Sequence, residues 1–167
     1  TGNPKMYVTY VTPKIKVPSV LHYPYNAISQ FQKRIEAGPS LTAPVYSDSL
    51  SLVAMPKRLY VCAEPVTKLA SDPDTFAAIT KFELFIGNSP ANMSQADPKQ
   101  LYLMSQRNGC QLSFSEWSNP ELAGSVLCVD FAKDVGLDLN DFVAKQGNYT
   151  IQFNATIKPS AAKAAVA

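Results

Sequence analysis

Proline punctuation constrains this chain more than any other feature. Thirteen prolines and seven glycines cut the 167 residues into short segments. Proline fixes φ and removes a backbone donor, so it neither continues a helix nor sits inside a paired central strand. Between the breaks, apolar and polar residues alternate with the period of 2 expected of strands that bury one face. An all-β fold follows.

The alternation can be read segment by segment. In residues 5–11, Met6, Val8 and Tyr10 alternate with Tyr7, Thr9 and Val11, and the pattern resumes after Pro13 at Ile15 and Val17. Residues 27–35 place Ile28, Gln30, Gln32 and Arg34 on one face and Ala27, Ser29, Phe31, Lys33 and Ile35 on the other, so the apolar face is thin, as on an edge strand. Tyr46, Asp48, Leu50 and Leu52 fall in register in 46–53. The continuous apolar run of 58–63, bounded by Pro56 and Pro65, predicts a central strand buried on both faces. In 78–87, Ile79, Lys81, Glu83 and Phe85 stand opposite Thr80, Phe82, Leu84 and Ile86, which predicts the charged pair outside and the aromatics inside. Residues 125–131 and 149–157 complete the set.

One helix interrupts these strands. Asp97 and Pro98 supply an N-cap and a first-turn proline, Leu101 and Met104 an apolar stripe, and Asn108 and Gly109 a terminator. Ser113 and Glu116 form a capping box for a single further turn near Trp117. Eight strands with long connections, one of which carries a helix between 87 and 125, predict an eight-stranded jelly-roll β-sandwich rather than an up-and-down barrel. Residues 1–158 are expected to form one domain, and 159–167 a flexible Ala/Lys tail. The chain starts Thr1, Gly2, Asn3 with neither Met nor a signal peptide, and reads as a processed product or a piece of something longer.

Catalytic chemistry has little to work with. The single histidine, His22, lies in a proline-flanked aromatic loop with no nucleophile elbow nearby. Glu83 has no acidic partner two residues away, and Glu116 and Glu121 fall in a polar loop, so a carboxylate pair of the glycosidase kind is not indicated. Asp130, Asp134, Asp138 and Asp141 lack the Gly and Glu that complete a calcium loop, and read as a solvated loop with Asx turns. Cys62, Cys110 and Cys128 are odd in number and lack CxxC spacing, which fits reduced thiols in an intracellular setting and no zinc site. No phosphate-binding glycine motif occurs. The expectation is a protein that is not an enzyme and takes no cofactor or metal.

Charge and hydropathy exclude two further classes. A net charge of +2 is too small for a nucleic-acid-gripping domain, although residues 1–40 concentrate Lys5, Lys14, Lys16, Lys33 and Arg34 against Glu36 alone. These cations fit edge protection or an acidic partner surface better than phosphate contacts. No apolar run approaches the ~20 residues of a membrane span. Sequons at Asn92, Asn148 and Asn154 read as chance, the last two in or beside a strand.

Several ordered features resemble a known family. They run from Met55, Pro56, Lys57, Arg58, Leu59, Tyr60 and Val61, through Asp74, Thr75, Phe76 and the 79–86 strand, to Gln100, Leu101, Tyr102, Ser105, Asn108, Gly109 and Cys110. Phe114 and Trp117 follow, then Gly124, Ser125, Val126, Leu127, Val129, Asp130, Phe131, Asp134, Val135 and Leu137. Over residues 45–158 this order resembles the major capsid proteins of small double-stranded DNA viruses: virophages, polinton-like viruses and adintoviruses, in the wider double jelly-roll lineage. The family carries two jelly rolls and this chain has residues for one, so the resemblance implies the second, C-terminal half; a single jelly-roll penton protein is the alternative. It further implies homotrimers shaped as pseudo-hexagonal prisms, tiling an icosahedral shell beside penton and minor capsid proteins, in a virion assembled inside the host cell. Subunit contacts are expected at Tyr23, Tyr25, Tyr102, Arg107 and Trp117, since Tyr, Trp and Arg are enriched at interface cores, although Trp117 also suits a core position. A carbohydrate- or ligand-binding β-sandwich is the competing reading, and would need exposed coplanar aromatics. A jelly-roll hydrolase using Glu83 or Glu116 is a third.

Overall fold

The longest strand, β7 (Tyr149–Lys158), organises the larger of two sheets. The computed structural model describes residues 27–35, 44–64, 75–87, 89–91, 96–137 and 149–160, and the regular secondary structure among them lies within the compact unit Lys33–Ala167. On one side of β7 runs β4 (Ala78–Ile86), antiparallel from Ala78 opposite Lys158 to Ile86 opposite Ile151. On its other side β7 pairs with two short strands, β1 (Val45–Tyr46) and β2 (Leu50–Leu52). β5 (Ser89–Pro90) closes the edge beyond β4. The second sheet is the antiparallel pair β3 (Arg58–Val61) and β6 (Leu127–Asp130).

The helix α1 (Pro98–Arg107) packs against β4 and β6, and a single turn, α2 (Phe114–Trp117), follows it. Both capping boxes form as the sequence predicts: Asp97 with Gln100, and Ser113 with Glu116. Ile79, Phe82, Leu84, Leu101, Trp117, Leu127, Val129, Phe131 and Ile151 make one continuous core from both sheets and both helices. The result is a mostly β domain, with seven strands among the described residues and a helix in a long connection, consistent with a jelly roll.

Four expectations are corrected. The run 46–53 is two strands, because Ser47 leaves the ladder to exchange bonds with Phe153: its backbone N–H donates to the Phe153 carbonyl at 2.8 Å, and its Oγ accepts from the Phe153 N–H at 2.9 Å. The run 58–63 is not buried on both faces. Arg58 and Tyr60 are exposed, and it is β6 whose four residues are all buried. In β4 the register slips between Ile79 and Lys81, so Thr80 is the extra residue of a bulge. Ile79 therefore turns inward with Phe82 and Leu84, not outward with Lys81. Residues 27–35 form no strand, since Gln30, Gln32, Lys33 and Arg34 leave too little apolar surface to hold one in a sheet. The expected strands at 5–11 and 15–17 fall outside the described residues.

Candidate functional site

The described residues build two joints and an apolar rim rather than a cleft for chemistry. The first joint forms where the chain enters β6. Gly124 has φ +77°, and a Cβ there would lie 1.8 Å from the Phe76 carbonyl oxygen, so only glycine fits. This close approach lets Phe76 N–H donate to Ala123 O at 2.9 Å and Ser125 N–H donate to Ala77 O at 3.3 Å. The buried Ser125 hydroxyl then works in both directions, accepting from Ile79 N–H at 2.9 Å and donating to Trp117 O at 2.9 Å. The Gly124, Ser125 pair thus fastens α2, β4 and β6 together.

The second joint lies at the C-terminus of α1. Asn108 caps the helix and is buried; its Nδ2 donates to Cys128 O at 3.0 Å and to Asp134 Oδ2 at 2.6 Å. The same Asp134 oxygen accepts from Asp130 N–H at 2.8 Å, and its other oxygen accepts from the Arg107 guanidinium. The Asp134 side chain is only 1 % exposed. It is therefore an internal clamp and not part of a solvated loop, which corrects that expectation. Three donors converge on its carboxyl oxygens and replace the water that burial removes. Asp130 does make the expected Asx turn, accepting from Ala132 and Lys133 N–H at 3.1 Å each, and it also pairs with Arg58 at 3.5 Å. Asp138 and Asp141 lie outside the described residues. Ser105 completes the joint, donating to Leu101 O and accepting from Cys128 N–H.

The anticipated contact residues are dispersed. Tyr23 and Tyr25 fall outside the described residues, as does His22. Trp117 is 0 % exposed, with its indole N–H donating to Val126 O at 3.2 Å. Tyr102 is buried against it and Phe114, with ring centroids 6.0 and 5.4 Å away, and its hydroxyl donates to Leu112 O. Arg107 is more than half exposed but engaged by Asp134. What sequence reasoning missed is the apolar residues left outside on the same helices and the following loop: Leu103 and Phe114, with Leu122 beyond them. Leu103 was legible as the leucine off the Leu101, Met104 stripe. A second exposed feature, on the larger sheet, is an open hollow of about 240 Å³ lined by Tyr46, Ser47, Phe85, Gln152 and Phe153.

Chemically reactive groups do not converge. Among the described residues no three His, Cys, Asp or Glu side chains are placed to hold a metal ion, and no helix is long and apolar enough to cross a membrane. The three cysteines are free. Burial pushes the Cys128 thiol up, and burial together with the nearby Glu64 does the same at Cys62, so neither is activated as a nucleophile. Glu83, one hypothetical acid, accepts from Asn154 Nδ2 at 2.6 Å across the β4–β7 ladder. This leaves Asn154 buried with its amide engaged, a poor glycan acceptor. Glu116 is held below the usual carboxylate range by the Ser113 hydroxyl and backbone N–H that it caps.

The described residues thus make a β block held by internal polar joints, with apolar residues kept on its surface. Comparison with known proteins places it. Residues 24–167 match the family of the Major capsid protein V20 C-terminal domain, and the chain belongs to that family. Capsid protein V20 of Sputnik virophage is 25 % identical over 181 residues, covering 92 % of this chain and 30 % of V20. The crystal structure of the mavirus major capsid protein superposes with a TM-score of 0.61 at 23 % identity, covering 72 % of this chain and 29 % of the mavirus chain. The Sputnik virophage structure from cryo-EM gives 0.58 at 25 % identity, covering 69 % and 27 %. The chain thus spans less than a third of the length of each relative. It is a viral structural capsid protein of the jelly-roll kind, related to virophage major capsid proteins.

Proposed function

We propose that this domain is the C-terminal jelly roll of a double jelly-roll major capsid protein. Three copies of that protein would form a pseudo-hexagonal capsomer, and the capsomers would tile an icosahedral virion shell around a double-stranded DNA genome. The observation that carries the reading is the match of residues 24–167 to the family's C-terminal domain, together with an alignment that covers 30 % of V20. On this reading residues 1–158 are one eight-stranded jelly roll and 159–167 is a tail. Pentons and minor capsid proteins are the further partners, and the shell assembles inside the host cell.

Physically, strands standing across a shell wall make a stiff block whose loops and helices are free for lateral contacts. The rim of Leu103, Phe114 and Leu122, with Arg107 beside it, supplies apolar anchors and a guanidinium of the kind interface cores use. Tyr102 packs between Trp117 and the Phe114 of that rim, and Tyr23 and Tyr25 are further contacts on this reading. A penton role has no comparable support, because the matched family is a major capsid protein. Trp117 is buried and so offers no stacking face to a carbohydrate. Light scattering on the full-length gene product tests the proposal: a trimer is expected, and a stable monomer at micromolar concentration overturns it.

A further inference from the structure

Asn108 is followed by Gly109, the sole Asn-Gly pair in the sequence. In an open chain such a pair is chemically unstable. The glycine amide nitrogen, unshielded by a neighbouring Cβ, attacks the asparagine Cγ; a C–N bond forms, ammonia leaves, and water opens the resulting succinimide to aspartate or isoaspartate. The reaction needs no oxidant and no partner other than water.

The fold opposes each part of this chemistry. Gly109 N–H is committed to Gln106 O at 3.1 Å, and Asn108 sits at φ −92°, ψ 7° as the helix cap. The carboxamide that would be attacked is buried and held by Cys128 O and Asp134 Oδ2. Both partners are acceptors, so only the NH₂ end of the amide can face them. Oδ1 is left without a hydrogen-bond donor among the described residues. The product fits worse than the reactant, because an aspartate would set a carboxylate against the buried Asp134 carboxylate and the Cys128 carbonyl, with no donor to offer either.

We propose that Asn108 is a fold-gated deamidation site: the folded joint protects it, an opened chain converts it, and the converted chain cannot rebuild the joint. Chains that open long enough to react are thereby removed, one way, from the pool able to refold and assemble.

The test uses the whole chain, incubated in mildly alkaline buffer with and without denaturing urea. The peptide containing Asn108 is then assayed by mass spectrometry for conversion of amide to acid, and by enzymatic methylation for isoaspartate. Conversion in the folded sample is expected to be slower by at least roughly tenfold, as for any reaction confined to the opened state. After urea removal, converted chains should recover less near-UV circular dichroism than unconverted chains given the same exposure. Equal rates in the two samples, or full refolding of converted chains, overturns the proposal. Asn108→Asp is compared with Asn108→Ala, which loses the same hydrogen bonds without adding a carboxylate. A lower urea midpoint for Asn108→Asp than for Asn108→Ala is expected, and an equal or higher midpoint, or Asn108→Asp as stable as the parent chain, counts against the mechanism.

Discussion

Gly124 and Gly87 both adopt positive φ, +77° and +61°, but they do so for different reasons. At Gly87 a Cβ would meet nothing within 4 Å, so Gly87→Ala carries only the left-handed backbone cost of about 1–2 kcal/mol. At Gly124 the Phe76 backbone occupies the space, so Gly124→Ala is expected to cost clearly more than Gly87→Ala in urea unfolding, and to lose the native near-UV signal if the seam opens. Trp117→Ala should cost about 3–5 kcal/mol in the domain by itself, since the ring fills the core; a stability loss under about 1 kcal/mol would place the ring's role outside the core. Glu116 gives a pH-dependent effect. Its folded pKa is depressed by the bonds from Ser113, so its contribution is present above the ordinary glutamate pKa of about 4.3 and is lost as pH falls through the lower folded value. The stability difference between the parent chain and Glu116→Gln should therefore shrink on acidification below about pH 4, and a difference that grows there would refute the assignment.

At the scale of elements, the sequence was most legible where a local rule and the tertiary fold agree. Asp97, Pro98, Ser113 and Glu116 fixed both helix starts because a cap is satisfied by its own next three residues. The 149–157 alternation located β7 to within a residue for a similar reason, one face carrying Ile151, Ala155 and Ile157 into the core. Failures came where a partner far along the chain decided the outcome. The Thr80 bulge moves Ile79 to the core face, and nothing within 78–87 announces it, because a bulge is a property of the pairing with β7. Asp134 looked solvated because its donors, Arg107 and Asn108, lie more than two dozen residues upstream. Asp134→Ala is expected to destabilise by about 2–4 kcal/mol, since it strips the acceptor from Asp130 N–H and leaves Asn108 with one partner. Arg107→Ala should cost less in the isolated domain, because this guanidinium is more than half in water. Chemical denaturation of the two variants side by side decides the order.

For the whole molecule, assembly separates from folding. Leu103→Lys together with Leu122→Lys alters exposed positions, so unfolding should change by no more than about 0.5 kcal/mol, while capsomer formation by the full-length protein falls. If assembly is unaffected, the rim is not a subunit contact. The sequence by itself determined the mostly β class, the helix and its caps, and through ordered features from Met55 to Leu137 the capsid lineage. These are consequences of local periodicity, turn chemistry and residue supply, which need no knowledge of what touches what. Only the tertiary structure decided that Trp117 faces inward, that β6 rather than β3 is the fully buried strand, that Gly124 must be glycine, and that Asp134 is a clamp. Each of those depends on contacts between residues distant in sequence, where the deciding terms are the space left by another segment's backbone and the donors another segment brings to a buried charge.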